Sequence, residues 1–311
     1  MTERKPDLVR RRLALASLAF PGSLLLQACS ATFKPLKSAS IDPAAQALLS
    51  QSAGAHGSMG LSKVRDISVS YTGQWRAIVD KLQPALVDAG FRGGSEERVL
   101  LNDGIVSQAH AGPSGRKQVV RTLTPLPSGD VHVWRNGNAD DDKDSRDAAA
   151  LVADSYLLFL LGPMLLSLHG FEERIIAAEL GGRRRIQVDA GVHECESLRI
   201  RLRPGMGFSA EDDLMLFIDR ESHLMRRVRF TLNGLESTRG AVAEVDVGRF
   251  KTFEGISWPT HYYERLLRPV PLPVHEWRMT GLDLNRGIDA RELTGSTFLG
   301  KALAPAAMIN Q

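Results

Sequence analysis

The second half of the chain alternates apolar and polar residues with a period of two. Ile186, Val188 and Ala190 interleave with Arg185, Gln187 and Asp189, and Leu198, Ile200 and Leu202 interleave with Arg199, Arg201 and Arg203. Such alternation sets one face against a core and the other in water, as an antiparallel sheet requires. Leu214 to Ile218, a turn at Asp219-Arg220 and Leu224 to Leu232 read as a hairpin with Val228, Phe230 and Leu232 inward. Residues 241–250, 256–266 and 274–284 add three more strands.

The first half mixes the two periods. Asp42 stands at a cap position with Pro43 in the first turn, which predicts a short helix ended by Gly57 and Gly60. Val64 to Thr72 reads as a strand with Ile67, Val69 and Tyr71 on one face. Asp103-Gly104 predicts a two-residue hairpin turn between 99–102 and 105–109. Strands at 116–122 and 131–135 follow, the latter ending at Asn136-Gly137. The acidic run from Asp140 to Asp147 reads as a solvated loop, lacking the glycine and distal glutamate of a calcium-binding loop.

Leu151 to Leu168 is apolar almost all round and must be buried in protein or lipid. Asp154, the Gly162-Pro163 break and the acidic flanks argue against a bilayer span. A kinked pair of helical segments on the apolar face of a sheet is predicted instead. Roughly ten to twelve strands and two main helical segments result, without βαβ alternation, which predicts a mainly β (α+β) fold built on a single curved antiparallel sheet.

Arg4, Lys5 and Arg10 to Arg12 precede an apolar stretch from Leu13 to Ala28 that is interrupted by Pro21-Gly22. A basic stub before a short apolar segment is a secretory signal, shorter than the roughly 20 residues a membrane span needs. Leu26-Gln27-Ala28-Cys29 resembles the bacterial lipobox, and that resemblance implies cleavage before Cys29 and its lipidation. Arg11-Arg12 leaves the general and twin-arginine export routes both open. Ser30 resembles the sorting signal for the outer membrane of a bacterium with two membranes. The expected organisation is a cleaved signal at 1–28, a tether at 29–41, one domain at 42–300 and a tail at 301–311.

The formal charge of +3 vanishes with the signal segment, because residues 1–28 hold five basic and two acidic side chains. A neutral mature chain lacks the basic excess that drives nucleic-acid binding, and attachment to a membrane falls to the acyl chains. Cys29 and Cys195 are the only cysteines, so a lipidated Cys29 leaves no disulfide framework.

The runs LMLFIDRESHLMRRVRF (Leu214 to Phe230) and FKTFEGISWPTHYY (Phe250 to Tyr263) resemble the outer-membrane lipoprotein carriers and receptors of the LolA/LolB-like superfamily. Asp219 stands at the family's Asp-led turn, Leu224 to Arg227 at its Leu-x-Arg stretch, and Gly255 to Pro259 at its Gly-Ile-x-x-Pro entry. Ser50 to Gly73 is similar to the family's first helix and strand. The resemblance implies an incomplete β-barrel, helices over its concave face, and a cavity that accepts acyl chains.

A half-open barrel needs no reactive group to bind a lipid. The candidate cavity liners are Leu158, Phe159, Met164, Leu165, Phe230, Trp258, Tyr262 and Trp277. An apolar lining and an apolar core look alike in sequence, so two readings stand. One is an anchored, periplasm-facing binder of an acyl chain, lipid or lipoprotein at the outer membrane; the other is an envelope interaction or structural lipoprotein with a closed core. Catalysis finds no support. Ser114 to Lys117 matches Ser-x-x-Lys without companion motifs, and no nucleophile elbow or phosphate loop occurs. His193 and Cys195 could share a strand face as two metal ligands, but a third is not visible nearby, and His169, His261 and His275 form no triad. Neither a metal nor a cofactor is expected.

Overall fold

The computed structural model describes Leu36, residues 39–123 and residues 129–294. The signal segment, Cys29 and the tail lie outside the described residues. Helix α1 (Pro43–His56) starts where expected, with the Asp42 carboxylate accepting from the Ala44 amide at 2.9 Å and Gly57 closing it in the left-handed region. After α2 (Ser58–Leu61) come β1 (Asp66–Trp75) and two short helices, α3 (Ala77–Leu82) and α4 (Pro84–Val87). Strands β2 (Gly94–Leu100), β3 (Ile105–Gly112), β4 (Gly115–Thr122), β5 (Asp130–Arg135) and β6 (Asn138–Ala139) then form a meander.

The long helix α5 (Lys143–Leu161) runs into a 3-10 turn at Gly162–Ser167. Beyond it lie β7 (Ile175–Val188), β8 (Gly191–Leu202), β9 (Asp212–Asp219), β10 (Met225–Thr231), β11 (Val242–Gly248), β12 (Lys251–Phe253), β13 (Ile256–Trp258), β14 (His261–Arg268) and β15 (Leu272–Leu284), before α6 (Ala290–Leu293).

Thirteen strands make one antiparallel sheet in the order β6-β5-β4-β3-β2-β1-β15-β14-β11-β10-β9-β8-β7, and β12 pairs with β13 apart from it. The sheet does not close: β6 and β7 are its two ends. Residues 40–42 run beside β7, where the Asp42 amide donates to the Ala178 carbonyl at 2.9 Å. Helix α5 and the 3-10 turn lie on the apolar face, and Leu151 to Leu166 are buried throughout. An open half-barrel with helices on its inner face is therefore the observed architecture. The polar face carries cross-strand ion pairs, among them Arg229–Glu244 at 2.8 Å and Arg201–Asp213 at 2.9 Å.

Three expectations are corrected. The run from Asp140 to Asp147 is not all loop: Asp142 caps α5, accepting from the Ser145 amide at 2.9 Å, so half the run is the helix's first turn. Negative charge at a helix N-terminus is favourable, which explains the composition. The Asp103-Gly104 turn is longer than two residues, because Leu100 pairs with Ile105. Among the described residues there are fifteen strands, more than expected, because β6 and β12 are too short to show a period and the strand expected at 256–266 is divided at Pro259 into β13 and β14.

Candidate functional site

The eight predicted liners come together, but against one another. Leu158, Phe159, Met164, Leu165, Phe230, Trp258, Tyr262 and Trp277 belong to one core, none more than 3% exposed. Phe159 meets Phe230 at 5.4 Å and Trp277 at 5.9 Å between ring centres. Trp277 stacks on Tyr262 at 4.9 Å and on His275 at 4.6 Å, and His275 stacks on Trp75 at 4.1 Å. This four-ring column needs Gly73, where a Cβ would lie 2.5 Å from Trp277 Cβ and 2.8 Å from His275 Nε2.

The open space lies beside that core. A groove of about 560 Å³ runs between α3–α4, the 3-10 turn at Glu236–Thr238 and the inner face of β11, β14 and β15. Its apolar walls include Val79, Leu82, Leu86, Leu266, Leu272 and Val274. The helices are built for this position. Pro84 cannot continue α3 and starts α4 instead, while Val79 and Val87 turn inward onto Val274. Gln83 and Ser237 then tie the helices to the facing turn by two hydrogen bonds. Leu82 remains 58% exposed at the rim.

Residues Glu264, Leu266 and Arg268 alternate along β14 on the groove side, spanning about 13 Å at the rise of an extended strand. Glu264 sits opposite His275 on β15 and Val245 on β11, deepest along the strand. Burial pushes its carboxyl up to about 7, opposed by the positive charge of Arg92.

Behind Glu264 the inner face is polar. Arg92 donates to the Leu86 carbonyl at 3.0 Å and lies 5.0 Å from the Trp75 ring and 5.6 Å from Tyr156. Glu97 accepts from Gln108 at 2.8 Å, and burial pushes its carboxyl up to about 7 against that bond. Burial, with the charge of Arg92, holds His110 and His275 well below the usual imidazole range and so neutral. Trp75, Arg92, His110, Tyr156, His275 and Trp277 border a small pocket of about 20 Å³, room for one water.

The other sequence candidates stand apart from the groove. His193 Nδ1 lies 2.6 Å from Asp219, whose carboxyl burial would raise; the Ser222 and Glu221 amides, His193 and Arg226 instead hold it at about 2. Cys195 is fully buried behind them. Lys117 is committed to Asp88 at 2.7 Å, so Ser114 has no free lysine beside it. Among the described residues no cluster of three or more His, Cys, Asp or Glu side chains could hold a metal ion.

Sequence reading missed Glu264 and the α3–α4 wall. Glu264 was detectable as a polar interruption in the inward series Tyr262, Glu264, Leu266. The short helices offered only Gln83-Pro84 and the apolar residues around it.

No protein-family model matches the chain, and neither does any curated protein. Solved structures do. A DUF1329 family protein from Desulfovibrio piger aligns with a TM-score of 0.47 at 11% identity, covering 81% of this chain and 97% of that one. A domain described as an outer membrane lipoprotein-sorting protein from Vibrio parahaemolyticus gives 0.42 at 8% identity, over 80% and 97%. A LolA superfamily protein from Nitrosomonas europaea gives 0.38 at 11%, over 81% and 97%. The likeness is one of fold.

Proposed function

We propose that the chain is a lipid-anchored, periplasm-facing lipoprotein of the bacterial outer membrane that holds a hydrophobic ligand, an acyl chain or lipid, for lipid or lipoprotein trafficking. The groove of about 560 Å³ between α3–α4 and β14–β15 carries this reading. Its size falls within the range of small-molecule sites, and its walls are mainly apolar. Each buried methylene of a ligand contributes roughly 0.8 kcal/mol, so a tail of modest length suffices for binding. The core to which the eight residues belong acts as the rigid floor beside the ligand. Binding here needs no reactive group, and the chain is read as a carrier or receptor, not an enzyme. Acylated Cys29 would supply the anchor, with 29–41 as the tether.

Native mass spectrometry of the gently purified mature protein tests the binding. A lipid adduct is expected, and Leu266→Trp, which fills the groove, should remove it. A lipid-free spectrum under conditions that preserve the fold would overturn the reading. Labelled fatty acid should enter the wild-type chain and not Cys29→Ala. A second reading, an interaction lipoprotein with a closed interior, draws on the burial of all eight predicted liners. It gains if no lipid is found while a protein partner is retained.

A further inference from the structure

Glu264 is the sole acid among the described residues lining the groove, and its carboxyl makes no hydrogen bond to any of them. It is half-buried, facing the empty volume. A ligand that fills the groove takes the remaining water from this carboxyl, which is costly without a donor, so a donor supplied by the ligand itself would be strongly favoured. Resting on the hydrophobic-ligand reading above, we infer that the groove takes a single-chain amphiphile head first, its terminal hydroxyl or amine donating to the Glu264 carboxylate.

The neighbours leave that role to a ligand. Tyr262 spends its hydroxyl on the Pro259 carbonyl at 2.9 Å, and His275 Nδ1 faces the Tyr156 hydroxyl at 3.4 Å. Tyr262, the residue before Glu264 on the inward side of β14, is stacked on Trp277 within the core. The tail then lies outward over Leu266, Leu272 and Leu86 toward the rim.

Charge selects against the opposite polarity. Arg239 and Arg268 line the other part of the groove, Arg239 paired with Glu236 and Arg268 in no ion pair among the described residues. A fatty acid would be drawn by its carboxylate to Arg268, leaving its methyl end against the Glu264 carboxyl. Head-first entry would instead set two carboxylates together. The groups that bear on Glu264 are Arg92, His275 from β15, Tyr156 from α5, Tyr262 from its own strand, and the two groove arginines. Above neutral pH, His275, Tyr156 and Tyr262 are uncharged, so the ionised Glu264, with Arg92 as the cation that acts on it, sets the preference.

The test measures binding of 1-dodecanol, dodecylamine and laurate to the purified full chain, stripped of co-purifying lipid, at pH 8. The alcohol and the amine should each bind at least tenfold more tightly than laurate. Glu264→Leu should bring all three within about threefold of each other, and Glu264→Gln, which keeps an acceptor, should retain the alcohol's advantage. Laurate binding as tightly as the alcohol in the wild type, or an unchanged ranking in Glu264→Leu, would overturn the head-group inference alone. Failure of all three ligands to bind would overturn it together with the groove. The wild-type ranking decides the matter even if the leucine variant does not fold.

Discussion

Gln83 and Ser237 face each other across the groove and exchange two hydrogen bonds, from Gln83 Nε2 to the Ser237 carbonyl at 3.1 Å and from Ser237 Oγ to Gln83 Oε1 at 2.9 Å. They join the α3–α4 break to the turn that forms the opposite wall.

Removing this clasp should act on exchange more than on folding. Each exposed bond contributes about 0.5–1.5 kcal/mol net, too little to threaten a large domain. Gln83→Ala is expected to release a groove-bound fluorescent lipid several-fold faster, with the melting temperature nearly unchanged. An unaltered off-rate would show that the wall does not open there.

Asp154 should be far more sensitive. Its carboxylate receives Arg121 at 3.0 and 3.1 Å and the Gly207 amide at 2.7 Å, all within the buried layer between α5 and β4. Removing one partner of a buried pair costs about 3–5 kcal/mol, because the other charge keeps its desolvation penalty. Asp154→Ala should lower the melting temperature by roughly 10 °C, measured by circular dichroism.

His56 gives a pH signature. Its ring Nε2 accepts from the Met225 amide at 2.9 Å, and burial, joined by the charge of Arg226, lowers its pKa from 6.5 to about 4. The unfolded chain binds this proton more readily, so stability is full above pH 6.5 and falls as pH drops toward 4. The loss approaches about 3 kcal/mol. Urea denaturation of wild type and His56→Gln should therefore diverge above pH 6 and converge near pH 4.

Cys195 should resist thiol reagents until the chain unfolds. It is fully buried, and burial, reinforced by the charge of Asp219, pushes its thiol up to about 12. Mass spectrometry after treatment with iodoacetamide should show no adduct at Cys195 in the native protein and one adduct in urea.

Much of this architecture was legible, and the reasons are local. Period-two alternation located β8, β9 and β10 because one face is wet, and Asp42-Pro43 fixed the start of α1. Leu151 to Leu168 was recognisable as interior by its lack of a polar face. The start of α5 was hidden, since its first turn is charged and resembles a loop. The groove was hidden for another reason: a wall residue such as Leu266 and a core residue such as Phe230 carry the same apolar signal. Only packing, which depends on strands far apart in sequence, separates them.

The sheet order also bears on how the chain folds. Almost every strand pairs with a sequence neighbour, whereas β1 and β15 join the two meanders across nearly the whole domain, with Ile67 beside Leu284. Local pairings close quickly and distant ones slowly, so each meander should assemble early and that single seam should be rate-limiting. Destabilising substitutions within the early-formed β7–β8 hairpin, like those along the seam, would then slow refolding more than they speed unfolding.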